Sequence, residues 1–512
     1  MIYGHNATPK DLDLRADVCV VGSGAGGSVI AKKAAERGLK VVVLEEGGFY
    51  TKEDFDQLER DMLPKLYKQG TGQATADGFV SVLQGRCVGG TTVVNYLCCF
   101  RTPGRVLGEW AERGVQGMSP ADMKPHLDEV WDMLSIQKMP ENMLNPNNQI
   151  LKIGAEKLGW KGDTFWRNQI GCWGSGFCAE GCAYDAKQSA LLTYLHEAVI
   201  RGADVYAGTR VERITLEDGR ATGVEGIVWD PETDTPRGRL RVKADVTVVS
   251  CGSINTPELL LRSNVGGPMV GKSLYLHPVP IVWGLFDREI HNYYGVKQGY
   301  YIDEFSDVFH DDLDGGYVLE GVGAQPGLGA VGMNHYGTWH RERMKEHHKL
   351  ALVGVLVRDR DGGTVSLDKD GRRKIEYWPS RRDLQKCAEG MKHAAEAYLA
   401  AGAKEVYTCH AKETVIRNTG DLALFDQRSM APGEMFLFSA HQMGTCRMGE
   451  DPKTSVVNSN GRVHTTKNLL IADASAFPTP SGVNPQVTVY AVATHHAKVL
   501  LENWNEIAAG KA

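Results

Sequence analysis

No apolar run among the 512 residues approaches the roughly 20 needed to cross a bilayer, so a spanning helix is not expected. The opening stretch "MIYGHNATPKDLDLRADVCVVG" has no basic segment followed by an apolar one, so no signal peptide is visible. A soluble, cytoplasmic chain is the expectation. Blocks of one charge are also missing: the net charge of -6 comes from interspersed residues, which argues against a nucleic-acid partner. There is no G-x-S-x-G elbow and no H-E-x-x-H pair, so hydrolase and zinc-protease chemistry have no footing. Eleven cysteines, odd in number and dispersed, make no disulfide framework. No internal repeat or low-complexity segment occurs.

What is abundant is glycine. Its 59 residues exceed the ordinary share of about 7% and cluster where backbone would approach a ligand closely. The length predicts two domains, or one elaborated by insertions. "ADVCVVGSGAGGSVIAKKAAERGLKVVVLEEGG" reads as a buried strand, a glycine turn, a helix and a second strand ending at Glu45 and Glu46. Gly22, Gly24 and Gly27 make the turn G-x-G-x-x-G, which brings backbone to a pyrophosphate at the helix N-terminus. Glu45 follows at the interval expected of a carboxylate that accepts from ribose hydroxyls.

Two more buried strands, "DVTVVSCGS" and "KNLLIADAS", are predicted to complete this sheet, making the nucleotide domain discontinuous. The expected division is 1–275 with 441–512 for that domain, carrying the loop 171–182 as an insertion, and 276–440 for a substrate domain. In the second part "LALVGVLVRDRDGGTVSLDKDGRRKIEYW" reads as an antiparallel meander turning at Asp361-Gly362 and Asp370-Gly371. A helix then starts at a Ser380–Asp383 capping box and stops at Gly402. The fold class expected is α/β: a discontinuous Rossmann-like domain with an α+β domain on an antiparallel sheet.

A second glycine cluster, "GRCVGGTTVVNYL", offers Gly89, Gly90, Thr91 and Asn95, with Arg86 at its start, as a surface for a flat ligand. His441 in "SAHQMGTCRMG" is one of sixteen histidines and needs a second argument. "SGVNPQVTVYAVATHHAKVLLENW" supplies one. Asn484 and Pro485 are expected as N-cap and first residue of a helix whose positive end can face an anionic group such as a reduced flavin.

These motifs, with "GSINTPELLLRS" and "DASAFPTPSGVNPQVT", resemble the glucose-methanol-choline (GMC) oxidoreductases over nearly the whole chain. "AKQSALLTYLHEAVIRGADVY", "SAHQMGTCRMG" and "GVNPQVT" are most similar to the long-chain alcohol oxidase branch, from which the chain departs by lacking membrane segments and by Asn264 in place of a motif glycine. The resemblance implies FAD, non-covalent because Gly85 to Leu97 holds no histidine. It implies oxidation of a moderately apolar primary or secondary alcohol, hydride passing to flavin N5 and a base taking the hydroxyl proton. Carried over by motif, His441 is the base and Asn484 orients the substrate oxygen. Asp473 and Ala474 meet the ribityl and phosphate portion, and Val211 meets adenine through its backbone. Pro485 and Thr488 stand at the helix facing the flavin, and Glu46 joins the cofactor residues. Other functions on the same fold are a hydroxynitrile-type lyase and an electron carrier.

"GCWGSGFCAEGC" gathers Cys172, Cys178 and Cys182. Their C-x5-C-x3-C spacing suits zinc poorly, but three thiolates in a glycine-rich loop can hold an iron-sulfur cluster with three ligated irons. The spacing resembles that of GMC dehydrogenases which pass electrons through a 3Fe-4S cluster to a cytochrome. Small buried residues without chemistry are the competing reading. The acceptor is accordingly oxygen, a quinone or a cytochrome.

Overall fold

The computed structural model describes residues 1–309, 316–333 and 335–510. Leu12–Val21 and Val41–Glu45 run parallel on either side of the turn and helix Ala25–Glu36, as the pattern predicts. Val18, Val20, Val42 and Val43 are almost wholly buried. Burying such a side chain contributes about 1.5–3 kcal/mol, and β-branched residues suit a strand covered on both faces. The long strand Thr235–Val249 lies on the other side of Leu12–Val21. Its first half pairs antiparallel with Arg220–Asp230, and its last three residues pair parallel with Leu469–Ile471. Both distant strands therefore join the nucleotide sheet. Among the described residues no helix is long and apolar enough to cross a membrane.

A second, seven-stranded antiparallel sheet has Ile281–Leu285, Leu350–Val357 and Tyr317–Gly321 at its centre. Its period-two alternation divides two environments. Tyr317, Leu319, Val353 and Val355 face a core closed by helices Pro146–Leu158 and Arg381–Ala400, while Glu320, Leu352, Gly354, Ile281 and Trp283 face a cavity. Helix Arg381–Ala400 is capped by Ser380, whose hydroxyl accepts from Asp383 N, as expected.

Two expectations are corrected. Leu350–Val357 is buried at all eight positions and has sheet neighbours on both sides, so the segment after it leaves the sheet instead of turning back at Asp361-Gly362. Only Gly363–Leu367 and Arg373–Glu376 form a hairpin, around Asp370-Gly371, in a separate four-stranded sheet. The proposed boundary at 275 is also crossed, because Pro146–Leu158 packs on the second sheet and Gly162–Thr164 pairs with Tyr300–Ile302.

Candidate active site

A cavity of about 1420 Å³ opens between the two sheets. This exceeds the roughly 300–1,000 Å³ of a single small-ligand pocket, leaving space for a cofactor and a substrate. Its two ends differ. One is lined by Gly22, Gly24, Gly90, Glu45 and Val211, the other by Ile281, Trp283, Val322 and Phe438, and His441 and Asn484 stand on its wall.

The glycine end is built by close backbone approach. Gly22 has φ +98°, and a Cβ there would lie 2.2 Å from the Ser250 carbonyl oxygen. At Gly27 a Cβ would lie 2.0 Å from Gly22 O, so this glycine packs helix on turn and does not line the cavity. The second cluster folds against the first: a Cβ on Gly90 would come within 2.9 Å of Gly24 Cα. Gly89, at φ +97°, shapes that approach from behind the wall.

Ser23, which the sequence did not single out, ties these pieces together. Its hydroxyl donates to Glu45 Oε2 at 2.6 Å and accepts from Gly89 N at 3.0 Å. Glu45 also accepts from Ser23 N and, through Oε1, from Gly47 N. The carboxylate expected at the ribose thus clamps the glycine turn as well as lining the cavity. Burial raises its pKa, against the lowering effect of these hydrogen bonds. Burial would raise the pKa of Glu46, but its pairing with Lys68 and the nearby charges of Arg86 and Arg373 together lower it. Arg86 lies 5.2 Å over the Trp229 ring and donates to Pro231 O.

The remaining sequence-predicted residues divide. Thr91 accepts from Gly85 N through its hydroxyl, Asn95 donates to Gln486 Oε1, and Asp473 accepts from Gly252 N and Thr256 Oγ1. These three, with Ala474 and Pro485, line the cavity. Thr488 is a correction: it is fully buried off the cavity wall, its hydroxyl 2.9 Å from that of Thr102. Asn484 is another. Helix Gln486–Glu502 has Pro485 as its N-cap and no side-chain cap, because the Asn484 amide turns into the cavity.

His441 is half-buried on the cavity wall, and loss of solvent around its ring pushes its pKa down to about 4, so it is neutral at pH 7. Its Nε2 is 3.4 Å from Asn484 Nδ2, and its Nδ1 is 3.4 Å from His277 Nδ1. Asn484 Nδ2 also donates to Glu320 Oε2 at 3.4 Å. The sequence overlooked His277 and Glu320. Glu320 carries one signal, a lone acid in the otherwise apolar strand "YVLEG".

Observations of the cavity wall fit FAD. The helices beginning at Ala25 and Gln486 both start at the cavity without a side-chain cap, so their first N–H groups remain available to anionic groups. The wall between Gly24 and Gly90 is bare backbone. A neutral imidazole and an amide stand beyond it.

The three loop thiols do not fit a cluster. Cys172, Cys178 and Cys182 are free and share one small cavity, but its volume is about 20 Å³, room for about one water. The Lys187 ammonium donates to Val93 O, Asn95 O and Cys178 O at 2.7 Å each, drawing the loop inward. Among the described residues no three His, Cys, Asp or Glu side chains are grouped so as to hold a metal ion. The predicted iron-sulfur ligands therefore form no ligand set in this structure.

Comparison with known proteins identifies the family. The family models described as GMC oxidoreductase match residues 63–279 and 359–493. A Mycobacterium tuberculosis relative, "Uncharacterized GMC-type oxidoreductase Rv0492c", is 34% identical over 94% of this chain and 75% of its own. An Arabidopsis thaliana relative, "Long-chain-alcohol oxidase FAO3", is 32% identical over 95% of this chain and 68% of its own. Formate oxidase from Aspergillus oryzae RIB40 has a TM-score of 0.72 at 17% identity, covering 96% of this chain and 99% of that one. Pyridoxine 4-oxidase from Mesorbium loti has a TM-score of 0.70 at 17% identity, covering 95% and 99%. These two structures bear on the fold alone. The chain belongs to the GMC oxidoreductase family and is an FAD-dependent oxidoreductase.

Proposed function

We propose that the protein oxidises a moderately apolar primary or secondary alcohol to an aldehyde or ketone, with His441 as general base. The observation that carries this reading is the His441–Asn484 pair, set on the wall of a cavity that also has a glycine-built end and an apolar end. Bound FAD supplies the hydride acceptor, at N5. The chain's own residues do the rest. Asn484 Nδ2 donates to the alcohol oxygen, and His441 Nε2 takes its proton. Ile281, Trp283, Val322 and Phe438 exclude water and receive the apolar part of the substrate.

Non-covalent FAD and oxygen as acceptor complete the proposal. The absence of histidine between Gly85 and Leu97 supports the first. The oxidase names of the Arabidopsis relatives support the second. The test is anaerobic mixing with alcohols of increasing chain length, followed by air. The oxidised flavin band should bleach and then return with release of peroxide, and acid precipitation should free the flavin. A flavin that no alcohol bleaches would leave the hydroxynitrile-lyase class. Stoichiometric iron and acid-labile sulfide in anaerobically purified protein would replace oxygen with a protein acceptor.

A further inference from the structure

Glu320 is an acid where acids are expensive. It is 4% exposed, on the cavity face of a strand buried at all five positions. Its Oε2 accepts from Gln298 Nε2 and Asn484 Nδ2, while its Oε1 is buried without a protein partner. No lysine or arginine forms an ion pair with it among the described residues. The guanidinium of Arg167 is taken up by Tyr96 O, Gln298 O and Gln169 Oε1. An uncompensated buried carboxyl costs stability, which invites the question of what it does.

The answer lies in the direction of an amide. Asn484 has a donating and an accepting end, and the end that faces Glu320 also faces His441. A carboxylate only accepts, so it holds Nδ2 on that side. Nδ2 then donates towards His441 Nε2, which keeps the lone pair there and the ring proton on Nδ1, facing His277. A second network pulls the other way. Gly482 N donates to His277 Nε2 at 3.3 Å, which puts the His277 proton on Nδ1 and would drive the His441 proton onto Nε2. A protonated Glu320 would side with this second network, donating to Asn484 Oδ1, which in turn would accept from His441 Nε2–H. His441 would then have no lone pair facing the alcohol.

We infer that Glu320 is a positioning residue: as a carboxylate it holds the Asn484 amide nitrogen toward His441 and so keeps Nε2 able to take the alcohol proton. This rests on the reading of His441 as base. Burial raises Glu320 to about 7, with Asn484 and Gln298 opposing, which places the switch in the neutral range. Asp359, which accepts from the backbone N–H of His277, is also raised by burial to about 7, so the Glu320→Gln comparison and not the wild-type profile alone assigns the limb. Tyr301 on the adjoining strand and Cys98 are both pushed up by burial, and His441 and His277 are pushed down by burial.

The test is the rate of anaerobic flavin reduction by a good alcohol substrate across roughly pH 5.5 to 8.5. The wild-type rate should rise with pH around a midpoint near 7. Glu320→Gln, which retains an accepting oxygen but cannot ionise, should keep flavin and much of the rate while losing this limb. Glu320→Leu should lower the rate at the alkaline end by at least about tenfold, the scale of a misplaced reacting group. A limb near neutrality that survives in Glu320→Gln, a flat wild-type profile, or a wild-type rate in Glu320→Leu would overturn the inference. If Glu320→Leu fails to retain flavin, the Glu320→Gln profile decides. Failure of the underlying reading looks different: His441→Ala would then reduce flavin as fast as the wild type.

Discussion

The rings of His277 and His441 meet edge to face at 89°, with their Nδ1 atoms 3.4 Å apart. His277 is wholly buried at φ +46°, and its backbone N–H donates to Asp359 Oδ1. It thus stands fixed behind the proposed base and, with its proton on Nδ1, favours the His441 tautomer that Glu320 opposes. His277→Ala removes the network that opposes Glu320, so it should shift the pH limb of flavin reduction by alcohol to lower pH while flavin content stays unchanged. Stopped-flow absorbance under nitrogen reads both. An unmoved limb in His277→Ala would remove this role.

His441→Ala should lower the same rate by about a hundredfold or more, the usual cost of losing a general base. Asn484→Ala should cost less, because it removes an orienting donor and leaves the proton acceptor. Retained yellow colour in both variants is part of the prediction. Wild-type speed in His441→Ala would assign the proton elsewhere.

Two glycines two residues apart should fail differently. A Cβ at Gly24 meets nothing closer than Gly90 Cα at 4.0 Å, whereas at Gly26 it would lie 1.6 Å from Ala472 O. Gly24→Val should therefore fold yet bind FAD about tenfold or more weakly, because its side chain occupies the cofactor wall. Gly26→Ala should instead lower the melting temperature of the protein even before flavin is added. Flavin titration and thermal unfolding of the two variants separate these outcomes.

His496 predicts a pH dependence of stability. It is wholly buried, its Nδ1 is 3.1 Å from Ile471 O, and burial pushes its pKa from 6.5 to about 3. The unfolded chain takes up the proton first, so the stability this group contributes is present above pH 6.5 and is lost as pH falls toward 3. His496→Asn cannot take up that proton. Its urea midpoint should drop less than that of the wild type between about pH 7 and pH 5; parallel drops would refute the assignment.

The glycine turn, its helix and the first two strands were legible because each signal is local: apolar runs, a turn that only glycine permits, an alanine-rich helix. His441 and Asn484 were legible through motif resemblance. What stayed hidden depends on apposition across the fold. Ser23 gains meaning only when Gly89 arrives against it, and Glu320 only when Asn484 turns away from its helix. The dipeptide Asp361-Gly362 looked like a hairpin because turn chemistry is read without knowing whether a strand's edges are already taken. The cysteine loop misled for a related reason, since spacing along a chain says nothing of the Lys187 ammonium that ties Cys178 O to Val93 O and Asn95 O.

Leu12–Val21 and Leu469–Ile471 both flank Thr235–Val249, although most of the chain separates them. At a ribosomal pace of about 5–20 residues per second, the last of these strands emerges some 20 to 90 seconds after the first. Through that interval the nascent sheet exposes a row of unpaired amides and carbonyls, a template for pairing with neighbouring chains. Production in a cell should therefore be limited by aggregation during synthesis, and lowering the temperature of expression should raise the soluble yield.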